Sequence, residues 1–242
     1  MTAEDADLQA ELSGLAGLAA DSLGLSQVLA EVAASAVRAV PGADGAGVAL
    51  LGGDGAVTAS AASAPFVAEI DDIQYVLLQE GPGRTAAELR RTVSSGSLGG
   101  DRSWPRFGPR AGRLGVHSTM ALPLTVSERV IGAITVYGYG KDIFDEHAAQ
   151  FGELFAAPAA VAVHNARLLA DALTLVGQLQ AALSTRPVID QAIGIIRSRT
   201  GRSAGEAFAQ LRAMSQAEQR KLAEVAESIV DEAVRRARAR RG

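Results

Sequence analysis

Ser118–Gly140 reads STMALPLTVSERVIGAITVYGYG: two apolar runs, Met120–Thr125 and Val130–Tyr137, flanking the polar triplet Ser127-Glu128-Arg129. The second run is rich in β-branched residues, which favour a pleated surface, and the short polar break is a hairpin signal. A second hairpin is written upstream, where GAGVALLGGDGAVTASAAS sets two Val/Leu/Ala runs around Gly52-Gly53-Asp54-Gly55. Two hairpins predict an antiparallel sheet.

Working outward, SQVLAEVAASAVRAVPG from Ser26 places Val28, Leu29, Val32 and Ala36 on one helical face and stops at Pro41-Gly42. The Ala/Leu-rich segment 8–22 predicts an N-terminal helix within residues 1–25, weakened by Gly14 and Gly17 and in need of a partner. Between the hairpins a short helix is expected over Arg84–Arg91, and the Gly-, Ser- and Pro-rich remainder up to His117 is expected to be loop. So long a loop commonly covers a ligand pocket or a partner surface. Trp104 and Phe107 in it, and His117 just before the strand, are candidate lining residues of a small-molecule cavity. The alternative for Trp104 is an anchor fixing the loop to the core. Asp71-Asp72 resembles the acidic pair of a receiver domain, but that fold is parallel α/β, so a solvated loop is expected there.

A long helix is predicted from Asp145, a helix-capping residue, with a kink at Pro158. Beyond it Val161, Asn165, Leu168, Ala172, Leu175, Leu179 and Ala182 recur at spacings of four and three, the seam of a coiled coil over 161–185. A homodimer through this seam and the N-terminal LQAELSGLAGLA segment is one expectation, and packing of the helix on its own domain is the other.

Composition narrows the chemistry. The chain has 242 residues and no Cys, which excludes disulfides, thiolate nucleophiles and covalent bilin attachment. His117, His147 and His164 show no metal-ligand spacing, and LGGDG and GSLGG lack the Lys-Ser/Thr of a phosphate-binding loop. A non-enzyme is expected, with no metal. The acidic opening MTAEDADLQAEL is unlike a secretory signal, and Pro158 interrupts the most apolar run, so a cytoplasmic protein without a membrane span is expected. The net charge of −4 divides unevenly: 12 Lys+Arg against 7 Asp+Glu from Arg186 onward leave +5, and 11 against 20 before it leave −9. A basic module on an acidic body points to a polyanion partner, with a solvated basic helix face as the plain alternative.

In that module Pro187 predicts a helix restart burying Ile189, Ala192, Ile193 and Ile196, closed by Gly201. Ser203–Glu206 and Ser215–Glu218 read as two capping boxes. The helix between them is expected to bury Ala204, Ala207, Phe208 and Leu211. The last helix should bury Leu222, Val225, Ala226, Ile229, Val230, Ala233 and Val234, and RRARARR should follow as a disordered tail. Residues 186–234, through QAIGII, the glycine after it, EAFAQLR and KLAEVAESIV, resemble the ANTAR domain of bacterial transcription antitermination regulators, a three-helix RNA-binding module. Ile193 stands where such sequences often carry Lys, and Gln219 where they often carry Asn.

Residues 26–165 resemble a GAF domain, and EGPGRTA and DRSWPRF are similar to stretches of actinobacterial GAF domains joined to ANTAR domains, although Gly83 replaces a frequent Cys. The fold class implied is α+β: a GAF-like antiparallel sheet with flanking helices, a long helical coiled-coil linker and a C-terminal ANTAR bundle at 186–242. The resemblance implies a GAF domain sensing a small ligand and an ANTAR domain binding RNA stem-loops in transcript leaders. Arg186, Gln191, Arg197, Arg199, Arg202, Arg212, Gln219, Arg220 and Lys221 are the candidate RNA-binding residues. The competing reading is a GAF sensor with a helical protein-interaction or DNA-binding output.

Overall fold

The computed structural model describes residues 2–18 and 23–240, except for the side chains of residues 181–186. Two compact units divide near Ala170. The first holds a five-stranded sheet in the order β2-β1-β5-β4-β3, built from β1 (Gly45–Leu51), β2 (Val57–Ala62), β3 (Val93–Ser95), β4 (Ser118–Val126) and β5 (Arg129–Gly138). Every neighbouring pair is antiparallel.

Both hairpins form at the two predicted positions. β4 and β5 turn on Ser127 and Glu128, both at positive φ, a geometry whose twist matches the strands it joins. β1 and β2 turn through Gly52–Gly55, with Gly55 at φ +76. At the sheet centre Gly132 faces the β1 backbone so closely that a Cβ there would overlap the Ala49 carbonyl oxygen.

Strand alternation divides the two faces. Val48, Leu50, Met120, Leu122, Leu124, Ile134 and Val136 pack with α2 (Leu25–Ala39) and the first turns of α6 (Glu146–Thr200). Val28, Leu29, Val32 and Ala36 are all buried, as their spacing requires. Asp145 caps α6 by accepting the Ala148 amide at 2.9 Å. The N-terminal helix α1 (Ala3–Leu18) buries Leu8 and Leu15 in this same core, and Glu11 holds Arg38 of α2 through two bonds of 2.6 and 2.8 Å. Those two leucines are therefore occupied within the chain and not offered to a second copy.

The opposite face carries α3 (Pro65–Asp72), a π-helical stretch Ile73–Leu78, α4 (Pro82–Leu89), a 3-10 turn Leu98–Gly100 and α5 (Phe107–Arg113). Much of the expected long loop is thus short helices and an edge strand. Their apolar residues are too few per element for periodicity to show them.

The second unit contains the end of α6, α7 (Ala204–Glu218) and α8 (Leu222–Ala239) around Ala192, Ile196, Ala207, Leu211, Val225, Ala226 and Ile229. Gly201 at φ +69 closes α6, its amide reaching the Arg197 carbonyl at 2.9 Å, and Ser203 and Glu206 form the reciprocal cap of α7.

Four sequence expectations need correction along α6 to α8. α6 runs unbroken through Pro187 instead of restarting there, and it continues past Pro158; each proline removes one amide bond while the turns on either side stay helical. Ser215 does not begin a helix: α7 continues past it to a left-handed end at Gln219, and Ser215 Oγ donates to the Arg220 carbonyl at 2.6 Å. Ala204, Phe208 and Val234 are exposed, so each helix buries a narrower stripe than its spacing implies. The basic tail is helical to Ala239, in keeping with the high helix propensity of Ala and Arg.

Gly132→Ala tests the sheet register. The added methyl meets a backbone carbonyl that cannot swing away, so urea unfolding should show a loss of about 1–3 kcal/mol with an unchanged m-value.

Candidate sensory core and nucleic-acid interface

On the sheet face beneath α3 to α5 lie two layers. One is apolar: Val67, Ile70, Leu98, Trp104, Phe107, Ala111, Val116 and the Tyr137 ring. Trp104 and Phe107 are both buried in it, and Trp104 Nε1 donates to Thr85 Oγ1 at 2.9 Å. That bond ties the Trp104 segment to α4. Glu80 fixes the same segment from outside, accepting the Arg106 and Phe107 amides at 2.7 and 3.0 Å and pairing with the Arg106 guanidinium at 3.0 Å. Burial acts against the Glu80 carboxylate, but those bonds hold it below its ordinary range. His117 is half-buried, and its backbone bonds Leu98 and Gly138.

The other layer is polar and buried. Tyr137 Oη donates to Asp71 Oδ1 at 2.6 Å, and Gln74 Nε2 donates to the same oxygen at 2.9 Å and to Tyr137 Oη at 2.8 Å. The Gly83 amide donates to Gln74 Oε1 at 3.0 Å. The solvated loop expected at Asp71 is not formed; the residue is instead on the inner face of α3, in van der Waals reach of Gly47 on β1, where any Cβ would overlap Oδ2. The sequence signal was available in Gly47, a residue without a side chain in a central strand.

Tyr75 Oη and Thr135 Oγ1 complete the layer, near enough to influence one another yet without a bond of acceptable geometry. Both border Gly83, and a Cβ there would overlap the tyrosine hydroxyl and lie 2.8 Å from Thr135 Oγ1. That crowding is the physical reason a glycine stands at 83. A shallow surface pocket of about 310 Å³ lies beyond α4, bordered by Asp54, Arg84 and Glu88, and none of Trp104, Phe107 or His117 lines it.

In the second unit the described candidate RNA contacts are all exposed. Gln191 and Arg199 line one groove with α8, whereas Arg197, Arg202 and Arg212 lie outside it. Arg202 donates to Gln210 at 2.8 Å. Gln219, Arg220 and Lys221 form the turn between α7 and α8, with Lys221 at the cap position. Arg220 is held by Glu218 at 3.1 Å, Glu224 at 3.9 Å and Ser228 at 3.0 Å, so its charge is answered within the chain. The Arg186 side chain lies outside the described residues. Arg236 and Arg240, expected in a disordered tail, are instead brought by the helical tail to the same cleft as Arg199. The signal was Val230, Ala233, Val234 and Ala237, an i, i+3, i+4, i+7 series carrying the helix onward.

Desolvation pushes the Asp71 carboxyl up to about 7, against the lowering effect of its two donors. The folded chain therefore keeps a proton that the unfolded chain releases near 3.8. Stability from this group is fully present below about pH 4 and is lost as pH rises to about 7, by up to roughly 4 kcal/mol at about 1.4 kcal/mol per pH unit. Asp71→Asn keeps the acceptor oxygen and removes the titration. The difference between wild-type and variant urea midpoints, compared at pH 5 and pH 8, should show the wild type's advantage shrinking at the higher pH; a constant difference would show that Asp71 does not titrate in this range.

Comparison with known proteins agrees with both units. The family described as GAF domain matches residues 22–164, and that described as ANTAR domain matches 177–230. No curated protein matches the chain by sequence. Among solved structures, the GAF domain of a phosphoenolpyruvate-protein phosphotransferase from Coxiella burnetii is 16% identical, with a TM-score of 0.52 over 69% of this chain and 98% of that one. The free methionine-R-sulfoxide reductase of Neisseria meningitidis, in complex with its substrate, is 18% identical, with a TM-score of 0.52 over 70% of this chain and 95% of that one. At such identities these two structures speak for the fold alone. With more than half of its residues matched at 22–164, the chain belongs to the GAF domain family and carries an ANTAR domain after it.

Proposed function

We propose that this protein is a signal-responsive, RNA-binding regulator of transcription antitermination, its GAF domain sensing a small ligand and its ANTAR domain binding RNA stem-loops in transcript leaders. The observation that carries the reading is the ANTAR match on a three-helix unit with an excess of positive charge, following an acidic GAF domain. Exposed Glu224, Glu227 and Asp231 on α8 disfavour a DNA groove as the partner. The action is regulatory and not catalytic, in the cytoplasm.

The active form in this proposal is a homodimer through α6. Val161, Leu168, Leu175 and Leu179 are 50%, 54%, 56% and 56% exposed, and every residue from 171 to 180 is exposed. Ala182, the last seam position, lies outside the described side chains. Water-facing leucines at heptad spacing forgo about 1.5–3 kcal/mol each relative to burial, and a second copy supplies that burial with Asn165 setting register. Part of α6, Glu146–Gln180, is long and apolar enough to cross a membrane, but Phe151, Phe155, Ala159 and Val163 within it belong to the GAF core.

Light scattering of the triple variant Leu168→Asp, Leu175→Asp, Leu179→Asp should give monomers, and dimers that persist would remove α6 as the interface. In gel shifts the same variant should bind a two-stem-loop leader RNA from the native genome about 100-fold more weakly, because the second ANTAR module is no longer tethered to the first. Wild-type protein that shifts no such RNA, with or without candidate ligands, sinks the antitermination reading.

A further inference from the structure

Between the last turns of α6 and the outer face of α8 runs an open groove of about 750 Å³. Its floor is apolar, formed by Ile195 of α6 and by Val230, Ala233 and Val234 of α8, and Val234 is 44% exposed. The groove merges with a cleft of about 300 Å³ where Arg199, Arg236 and Arg240 stand around Ala233 and Ala237. Arg199 is one residue from the carboxyl end of α6, and Arg240 is the cap residue just past the carboxyl end of α8.

Charge in the cleft does not balance. Among the described residues Glu232 is the carboxylate that engages these arginines, through Arg236. The carboxyl ends of two helices add about half a negative charge each. Three guanidinium groups against one carboxylate and two half-charges leave about one positive charge, with more arginine at 235 and 238 on the same helix.

An anion satisfies this arrangement, and the neighbouring groups narrow its chemistry. Guanidinium forks match phosphate oxygens two at a time. The apolar floor beside them suits the flat face of a base or ribose and gives nothing to a free inorganic anion. Gln191 and Ser198 on the wall supply donors and acceptors for base edges and a 2′-hydroxyl. We propose that this groove clasps a single-stranded segment of RNA, with phosphates on Arg199, Arg236 and Arg240 and base and ribose faces on Ile195, Val230 and Val234. The assignment rests on the RNA-binding reading above, and it moves the principal contact from the α7–α8 turn, where Arg220 is already paired, to the far end of α8.

The test titrates the full chain into a short fluorescein-labelled single-stranded oligoribonucleotide of mixed sequence and follows anisotropy at several salt concentrations. Arg199→Ala, Arg236→Ala and Arg240→Ala together should weaken binding at least about tenfold and lower the salt slope by about 0.7 for each phosphate no longer neutralised. Val234→Asp should weaken binding in the same direction, while Arg129→Ala, at the start of β5 in the first unit, leaves binding near the wild-type level. All these side chains are exposed, so circular dichroism should report an unchanged fold. A triple variant that binds like wild type overturns the proposal, as does displacement of the RNA by a polyglutamate peptide at equal concentration, which would assign the groove to an acidic protein. Wild type that shifts a two-stem-loop RNA but ignores the oligoribonucleotide also overturns it and leaves the antitermination reading standing; failure with both RNAs removes the two together.

Discussion

Burial of β5 on both faces is the constraint from which the first unit follows. Ile134 and Val136 face α2 and α6, and Thr135 and Tyr137 face the layer under α3 to α5. A strand with two inner faces cannot slip by one residue, because a slip would exchange Val136 for Tyr137 in two unlike surroundings. The tight turn at Ser127-Glu128 sets β4 against it, and Gly132 admits β1 on the other side. Once the register is set, Tyr137 Oη is delivered to Asp71, and the polar layer is a consequence of strand alternation as much as of the helices above it.

How much of this is readable from sequence depends on the length of each signal. The hairpins, α2 and the cap of α6 at Asp145 announce themselves through runs of several residues with one period. α3 to α5 do not, since elements of seven or eight residues offer two turns and few apolar positions. Asp71 illustrates the harder failure. Its sequence neighbour is another aspartate, and only the fold brings Tyr137, Gln74 and Gly47 around it. In the second unit Ser203–Glu206 and Ser215–Glu218 are equivalent as strings, but only the first is preceded by a glycine that breaks the helix. Local motifs identify what a helix terminus can use, not where a helix ends.

α6 serves three environments with one composition. Phe151, Phe155, Ala159 and Val163 belong to the GAF core, Ala192 and Ile196 to the ANTAR core, and the leucines from Leu168 to Leu179 to neither. Gly152 shows how closely the first part fits: a Cβ there would stand 2.9 Å from Leu122 Cδ1. The middle part shows no such fit: a Cβ on Gly177 would meet nothing within 4 Å, and Leu168, Leu169, Leu173, Leu175 and Leu179 are all exposed. One apolar side chain facing water is ordinary, but a row of them at heptad spacing on a single helix is the surface that the proposed homodimer would cover. The exposed stretch and the packed stretches therefore ask for different explanations although hydropathy treats them alike.

The same distinction between composition and placement governs the charges. Counting places +5 in the C-terminal region, but a count gives Arg220 and Arg240 equal weight. Arg220 stands at a helix start, where the dipole opposes it, and Glu218 and Glu224 cancel that penalty. Arg199 and Arg240 stand at helix ends, where the dipole favours them, so they remain stable without a carboxylate partner among the described residues. Positive charge that is stable yet unpaired is what an incoming polyanion can use, because binding it breaks no internal ion pair and releases only counterions. Helix direction, more than the number of arginines, therefore decides which part of the ANTAR surface is electrostatically available.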